Sequence, residues 1–191
     1  FLCYAFLKAL EDSGSVGGRT GWDILFLAAR EDSTNLLVGI LPAYIKHHSY
    51  GEYVFDHSWA HAFERAGGRY YPKLLCAVPF TPVPGPRLLY DHHHPEIIHN
   101  LLNALETIAR DNQISSAHIN FIMDEDRNVL KDKGWMIRTG VQFHWQNNNY
   151  NCFDDFLASL SSRKRKTLRK ERQSLFQKGI TFHQLTGPDI Q

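Results

Sequence analysis

The sequence is poor in cysteine. Cys3, Cys76 and Cys152 are three in 191 residues, far apart and without a CxxC pair. That excludes a disulfide scaffold and the usual structural zinc site, and it makes a reducing, cytoplasmic setting the expectation. Excess charge of one sign is also missing: 21 lysines and arginines face 20 acids, a formal net charge of +1. A protein that coats nucleic acid wholesale is thereby excluded, while a local basic site is not. No apolar run approaches the roughly 18 residues of a membrane helix, and no leader pattern of basic and then apolar residues is visible. GxSxG and HExxH do not occur, so a nucleophile elbow and a zincin helix have no support. "GSVGG" (14–18) has the composition of a phosphate loop, but it follows a helical pattern and lacks the Lys-Ser/Thr pair; it reads as a flexible connection. The adjacent His92, His93 and His94 of "DHHHPEIIH" point in different directions along an extended segment. No metal ligand set and no tightly bound cofactor are expected.

What is present is ordinary soluble-domain composition, 43% hydrophobic and 21% charged. "FLKALEDSGS" reads as the end of a helix stopped near Gly14. "DILFLAARED" and "NLLVGILPAYIKHH" are two apolar strands around a polar turn at Asp32 to Asn35, a hairpin signal. "HSWAHAFERAGG" predicts a short helix, "YYPKLLCAVPF" a strand over Lys73 to Val78, and "RLLY" a short strand after the proline-rich "TPVPGPR". Ile97, Ile98, Leu101, Leu102, Leu105 and Ile108 recur at helical spacing. "SSAHINFIM" predicts a strand and "EDRNVLKDKG" a short helix. In "WMIRTGVQFHWQN", Trp135, Ile137, Val141, Phe143 and Trp145 alternate with Arg138, Gln142, His144 and Gln146, the pattern of a long half-buried strand. "CFDDFLASL" and a basic segment predict two helices, and "GITFHQL" a closing strand. The expectation is a mixed α/β domain over 1–150, connecting helices over 151–179, and the start of a second domain over 180–191, in a chain read as a fragment.

The chemistry suggested by the residues falls into three groups. "HHSYGEYVFDHSW" packs Tyr50, Glu52, Tyr53, Asp56 and Trp59 around Gly51, and "YYPKLLCAVPFTPVPGPR" combines Tyr70, Tyr71, Lys73, Thr81 and Arg87 with a rigid proline track. Such loops wall ligand sites or cover sheet edges; Trp59, Tyr71, Lys73, Thr81 and Arg87 are the cleft candidates. Asp56 and His144 are the candidates for proton transfer, and His118 shares the placement of His144 on a polar strand face. Last, "SSRKRKTLRKERQSLFQKG" (161–179) puts Arg163, Lys164, Arg165 and Lys166 at a helix start, the partially positive end of the macrodipole. On a helical wheel Arg163, Lys166, Lys170, Gln173 and Gln177 lie opposite Leu168 and Leu175, with Arg169 at the margin. The face is either a solvated charged surface or, with Arg163, Lys166, Arg169 and Lys170, a place for an anion. Ser161 or Ser162 can serve as N-cap.

"HSYGEYVFD", "YYPKLLCAVPFTPVPGPR", "SSAH", "QFHWQN" and "FDDFLASLSSRKRKTLRKERQSLFQKGI" resemble, in order and over nearly the whole chain, the FemAB-like group of N-acyltransferases tied to peptidoglycan biosynthesis and recognition. The resemblance implies GNAT-like acyltransferase domains in tandem, a mixed sheet flanked by helices, of which this chain carries the first and the beginning of the second. It also implies that the basic helix joins the two halves. The related Fem transferases use aminoacyl-tRNA, whereas ordinary GNAT proteins use acyl-CoA. Either phosphorylated co-substrate suits a cationic patch, and the implied acceptor is a small-molecule or cell-wall amine. The Gly-rich pyrophosphate loop of GNAT proteins is not found in these residues. A non-catalytic module that recognises peptidoglycan precursor or RNA is the alternative.

Overall fold

The hairpin signal is realised by β1 (Trp22–Arg30) and β2 (Leu37–Lys46), antiparallel from Trp22↔Lys46 to Arg30↔Leu37. Asn35 closes the turn in the left-handed region at φ 58°, which Asn tolerates better than most residues. The computed structural model describes residues 1–189, and the chain divides into two units, Phe1–Arg138 and Thr139–Gln191.

In the first unit α1 (Tyr4–Asp12) precedes the hairpin, and α2 (His57–Arg65) follows a loop over 47–56. Two further strands join β2 on its other side: β3 (Lys73–Cys76) beside its C-terminal end, and β4 (Leu89–Tyr90) beside Gly39 and Ile40. After α3 (Ile97–Asp111), β5 (Ala117–Ile119) lies parallel to β3, and α4 (Asp124–Asp132) ends at Gly134. The order β1-β2-β3-β5, with β4 on β2, makes a mixed sheet. A mixed α/β architecture consistent with the GNAT-like expectation is therefore what the chain forms.

Strand residues alternate between the two sheet faces, and the core divides accordingly. On one face Leu27, Leu41, Ala43, Leu74 and Cys76 pack with Ile98, Leu101, Leu102 and Leu105 of α3. These four helix residues share the apolar stripe read from the sequence. Gly39 lets the helix approach, since a Cβ there would collide with Ile97. On the other face Trp22, Tyr44, Leu75 and Ala77 cluster with Val16.

The second unit holds α5 (Phe153–Ser159) and α6 (Ser162–Gln177), with a 3₁₀ turn at Gly187–Asp189. Ser161 occupies the N-cap of α6 but makes no side-chain capping bond. Two expectations fail here. The alternating run 135–146 forms no strand, and neither does "GITFHQL". Trp135 does go inward, packing on the α3 core and donating its indole N–H to Glu106 at 2.8 Å. The residues beyond it gain no neighbouring strand, and Met136 and Phe143 are 98% and 96% exposed. Alternation fits a segment to a sheet; only a hydrogen-bonded neighbour makes it a strand.

Candidate active site

The second sheet face ends in charge. Lys46 is the last residue of β2 and Lys73 the first of β3; they are paired in register, and both are fully buried. Parity explains this. Lys46 follows Tyr44, and Lys73 precedes Leu75, on the face that carries the Trp22 cluster.

The loop over 47–56 answers the two cations. Lys73 Nζ lies 2.9 Å from Glu52 Oε2 and 2.7 Å from Asp56 Oδ2, and it donates to Ser49 Oγ at 2.7 Å. Tyr70 donates its hydroxyl to Asp56 at 2.8 Å, and Tyr71 and Ser49 share a hydrogen bond of 2.8 Å. Lys46 Nζ sits 3.6 Å over the Trp22 ring and donates to the Tyr50 carbonyl at 3.4 Å. His118, in register with Leu75 on β5, hydrogen-bonds Ser116 at 2.8 Å. The loop passes close over this face because Gly51 (φ +79°) has no side chain: a Cβ would stand 2.5 Å from the Phe80 ring and 3.2 Å from Trp22.

Protonation follows from these surroundings. Burial alone would raise the Asp56 carboxyl, but hydrogen bonds from Lys73, Ser49 and Tyr70 and the lysine's charge bring it down to about 2. Asp56 is thus a firmly ionised charge partner and a weak base. Glu52 is raised, because burial outweighs the attraction of Lys73 and Lys46. Burial, reinforced by Lys73, lowers Lys46 to about 7 against the pull of Glu52. Burial and Lys73 likewise hold His118 down at about 4, so its imidazole is neutral at pH 7. Lys46 and Glu52 are therefore the groups drawn toward neutrality, the condition that suits proton transfer.

The expected residues meet only in part. Asp56, Tyr71 and Lys73 converge. Trp59 stands exposed in the first turn of α2, with the Arg138 guanidinium 5.4 Å from its ring. Thr81 donates to the Pro79 carbonyl at 3.0 Å. Arg87 is buried and donates to the carbonyls of Asn120, Pro86 and Val83 at 3.0, 3.2 and 2.6 Å. Its guanidinium braces loops. His144 belongs to the second unit, exposed, its Nε2 3.3 Å from Gln142 Oε1. Lys46 and Ser49 are absent from the residues singled out in the sequence. A lysine two positions after a buried Tyr44 in an apolar strand was the available signal for the first, but its meaning depends on the β2–β3 register.

In the second unit α6 presents two different basic faces. Arg165 donates to the carbonyls of Leu157, Ala158 and Leu160 at 2.9–3.0 Å, closing the C-terminal end of α5. Arg169 pairs with Asp154 at 3.4 Å, and Arg172 lies 4.1 Å over the Phe153 ring. These three arginines, at i, i+4 and i+7, hold α5. Arg163, Lys166 and Lys170 lie on the opposite side of the wheel and make no side-chain ion pair among the described residues.

The sequence profile of the FemAB-like family, described as peptidoglycan biosynthesis/recognition, matches residues 1–191. The chain belongs to the FemAB-like family. Neither the curated proteins nor the solved structures include a significant match. No described helix is long and apolar enough to cross a membrane. Membership ties this FemAB-like chain to peptidoglycan biosynthesis or recognition; the chemistry has to be argued from its own residues.

Proposed function

We propose that this FemAB-like protein is an N-acyltransferase. An acceptor amine, of a small molecule or a cell-wall precursor, attacks the carbonyl of an activated acyl ester or thioester. The new C–N bond forms, the C–O or C–S bond breaks, and the amine proton passes to a base or to water. The donor is acyl-CoA or aminoacyl-tRNA. The observation that carries the reading is the division of labour on α6. With Arg165, Arg169 and Arg172 engaged by α5, Arg163, Lys166 and Lys170 remain as a cationic face for a phosphorylated donor. Arg169, named with them from the sequence, serves in this reading as a brace. Within the first unit, Lys73, Tyr71 and Asp56 are the candidates for binding the acceptor. Glu52, raised by burial, suits the proton acceptor better than Asp56, and His144 is the second choice.

The test supplies the purified protein with acyl-CoA and aminoacyl-tRNA panels and amine acceptors, and reads N-acylated product by mass spectrometry. Transfer is expected, with donor KM raised roughly tenfold in Lys166→Ala/Lys170→Ala, for about 0.7 kcal/mol per lysine–phosphate pair at the surface. A folded protein that transfers nothing from either panel overturns the reading. The near-complete burial of Lys46, Glu52, Asp56 and Lys73 favours one alternative, a non-catalytic module recognising peptidoglycan precursor or RNA. It predicts saturable binding without turnover.

A further inference from the structure

Lys46 and Lys73 are neighbours across β2 and β3 in register, fully buried, and alike in charge. Like charges opposite one another in a sheet repel, and buried cations demand partners. The partners come from one loop, and the match is incomplete on both sides. Each ammonium carries three N–H donors. Lys73 has three close acceptors, Ser49, Asp56 and, at 2.9 Å, Glu52 Oε2, whereas Lys46 makes only the 3.4 Å bond to Tyr50. On the acceptor side Glu52 Oε1 and Asp56 Oδ1 accept no hydrogen bond. Buried donors and acceptors at such close quarters are normally satisfied.

The loop that supplies these carboxylates is itself under constraint. Tyr53 and Phe55 hold φ of 58° and 50°, left-handed conformations costly for aromatic residues and concentrated at ligand clamps and switches. The same two side chains and Tyr50 face solvent rather than core, at 48%, 75% and 69% exposure. A constrained segment with its aromatic side chains outside and its carboxylates inside, over a buried Lys46 that makes one long hydrogen bond, is poorly explained as packing alone.

We propose that loop 47–56 is a displaceable cover over a dilysine anion site, and that Glu52 and Asp56 occupy the places of the anionic groups of a small oxyanion ligand carrying two or more negative charges. Lys46 and Lys73 supply its charge partners, and the Tyr70 and Tyr71 hydroxyls the flanking hydrogen bonds. A tetrahedral oxyanion spreads its oxygens in more directions than planar carboxylates do, so it reaches the Lys46 donors that Glu52 and Asp56 leave unused. The ligand class is set by charge and size. The site shares Lys73, Tyr71, Glu52 and Asp56 with the acceptor side of the transferase reading but needs neither acyl transfer nor α6, so anion binding without turnover would uphold it while that reading fails.

The probe is inorganic pyrophosphate, titrated calorimetrically into the whole chain carrying Arg163→Ala/Lys166→Ala/Lys170→Ala, which disables the outward face of α6 as a competing site. Saturable binding is expected. Glu52→Gln, which keeps the shape and deletes the competing charge, is expected to tighten it about tenfold, and Lys46→Gln to abolish it. Hydrogen exchange on the unaltered protein is the second measurement, needed if a substitution unfolds the chain: saturating pyrophosphate should speed exchange across residues 47–56. No binding, equal affinity of Glu52→Gln and its parent, or unchanged exchange in the loop overturns the proposal.

Discussion

Lys73 is the residue on which the buried cluster turns. Removing it as Lys73→Met leaves Asp56 ionised and unpaired in the interior, a loss of about 3–5 kcal/mol, measured by urea unfolding. Gly51→Ala tests the close approach of the loop. Its positive φ and the Phe80 ring 2.5 Å from the added carbon set a cost of about 1–3 kcal/mol. Lys46 makes stability depend on pH with a definite sign. Its amine is lowered from 10.5 to about 7, so between those values the unfolded chain holds the proton and the folded chain has released it. Stability from this group therefore rises as pH climbs from 7 toward 10, and Lys46→Met should flatten that part of the urea midpoint profile. Asp56 acts at the other end. Lowered from 3.8 to about 2, it contributes fully above 3.8 and loses its contribution as pH falls through 2. Asp56, Tyr71 and Lys73 were legible as candidates because aromatic and charged residues crowd two short stretches. Their convergence was not, because it depends on which strand lies beside β2.

At the scale of elements, α3 shows where reading succeeds. Six apolar residues at helical spacing left no rival to an amphipathic helix, and its buried face is the one the spacing marked. The run 135–146 shows the reverse. Its alternation was as regular, but a strand is a property of two chains, and no partner pairs with it among the described residues. α6 falls between these cases. The wheel separated its faces, yet the misplaced arginines made sense only once α5 lay against them. Arg165→Ala should free the last carbonyls of α5 and cost about 1–3 kcal/mol, read as faster amide exchange over 153–160. Arg165→Lys, with a single head group in place of a fork, should restore only part of the protection.

Across the whole molecule a net charge near zero conceals a separation. Thr139–Gln191 carries eight lysines and arginines against four acids, and Phe1–Arg138 thirteen against sixteen. Binding of single-stranded RNA, used as a generic polyanion, should weaken linearly with log salt, and Lys166→Ala/Lys170→Ala should make the slope shallower by roughly 0.7 for each phosphate that these lysines neutralise. An unchanged slope would remove the outward face of α6 from the account. Lys46, meanwhile, is both sealed in and half uncharged near pH 7. Surface lysines, mostly protonated, are sluggish toward cyanate. Lys46 is the opposite, ready to react and out of reach. Its carbamylation, followed by mass spectrometry over hours, would accumulate in proportion to the fraction of time that the loop above it stands open, so the molecule carries its own gauge of that opening.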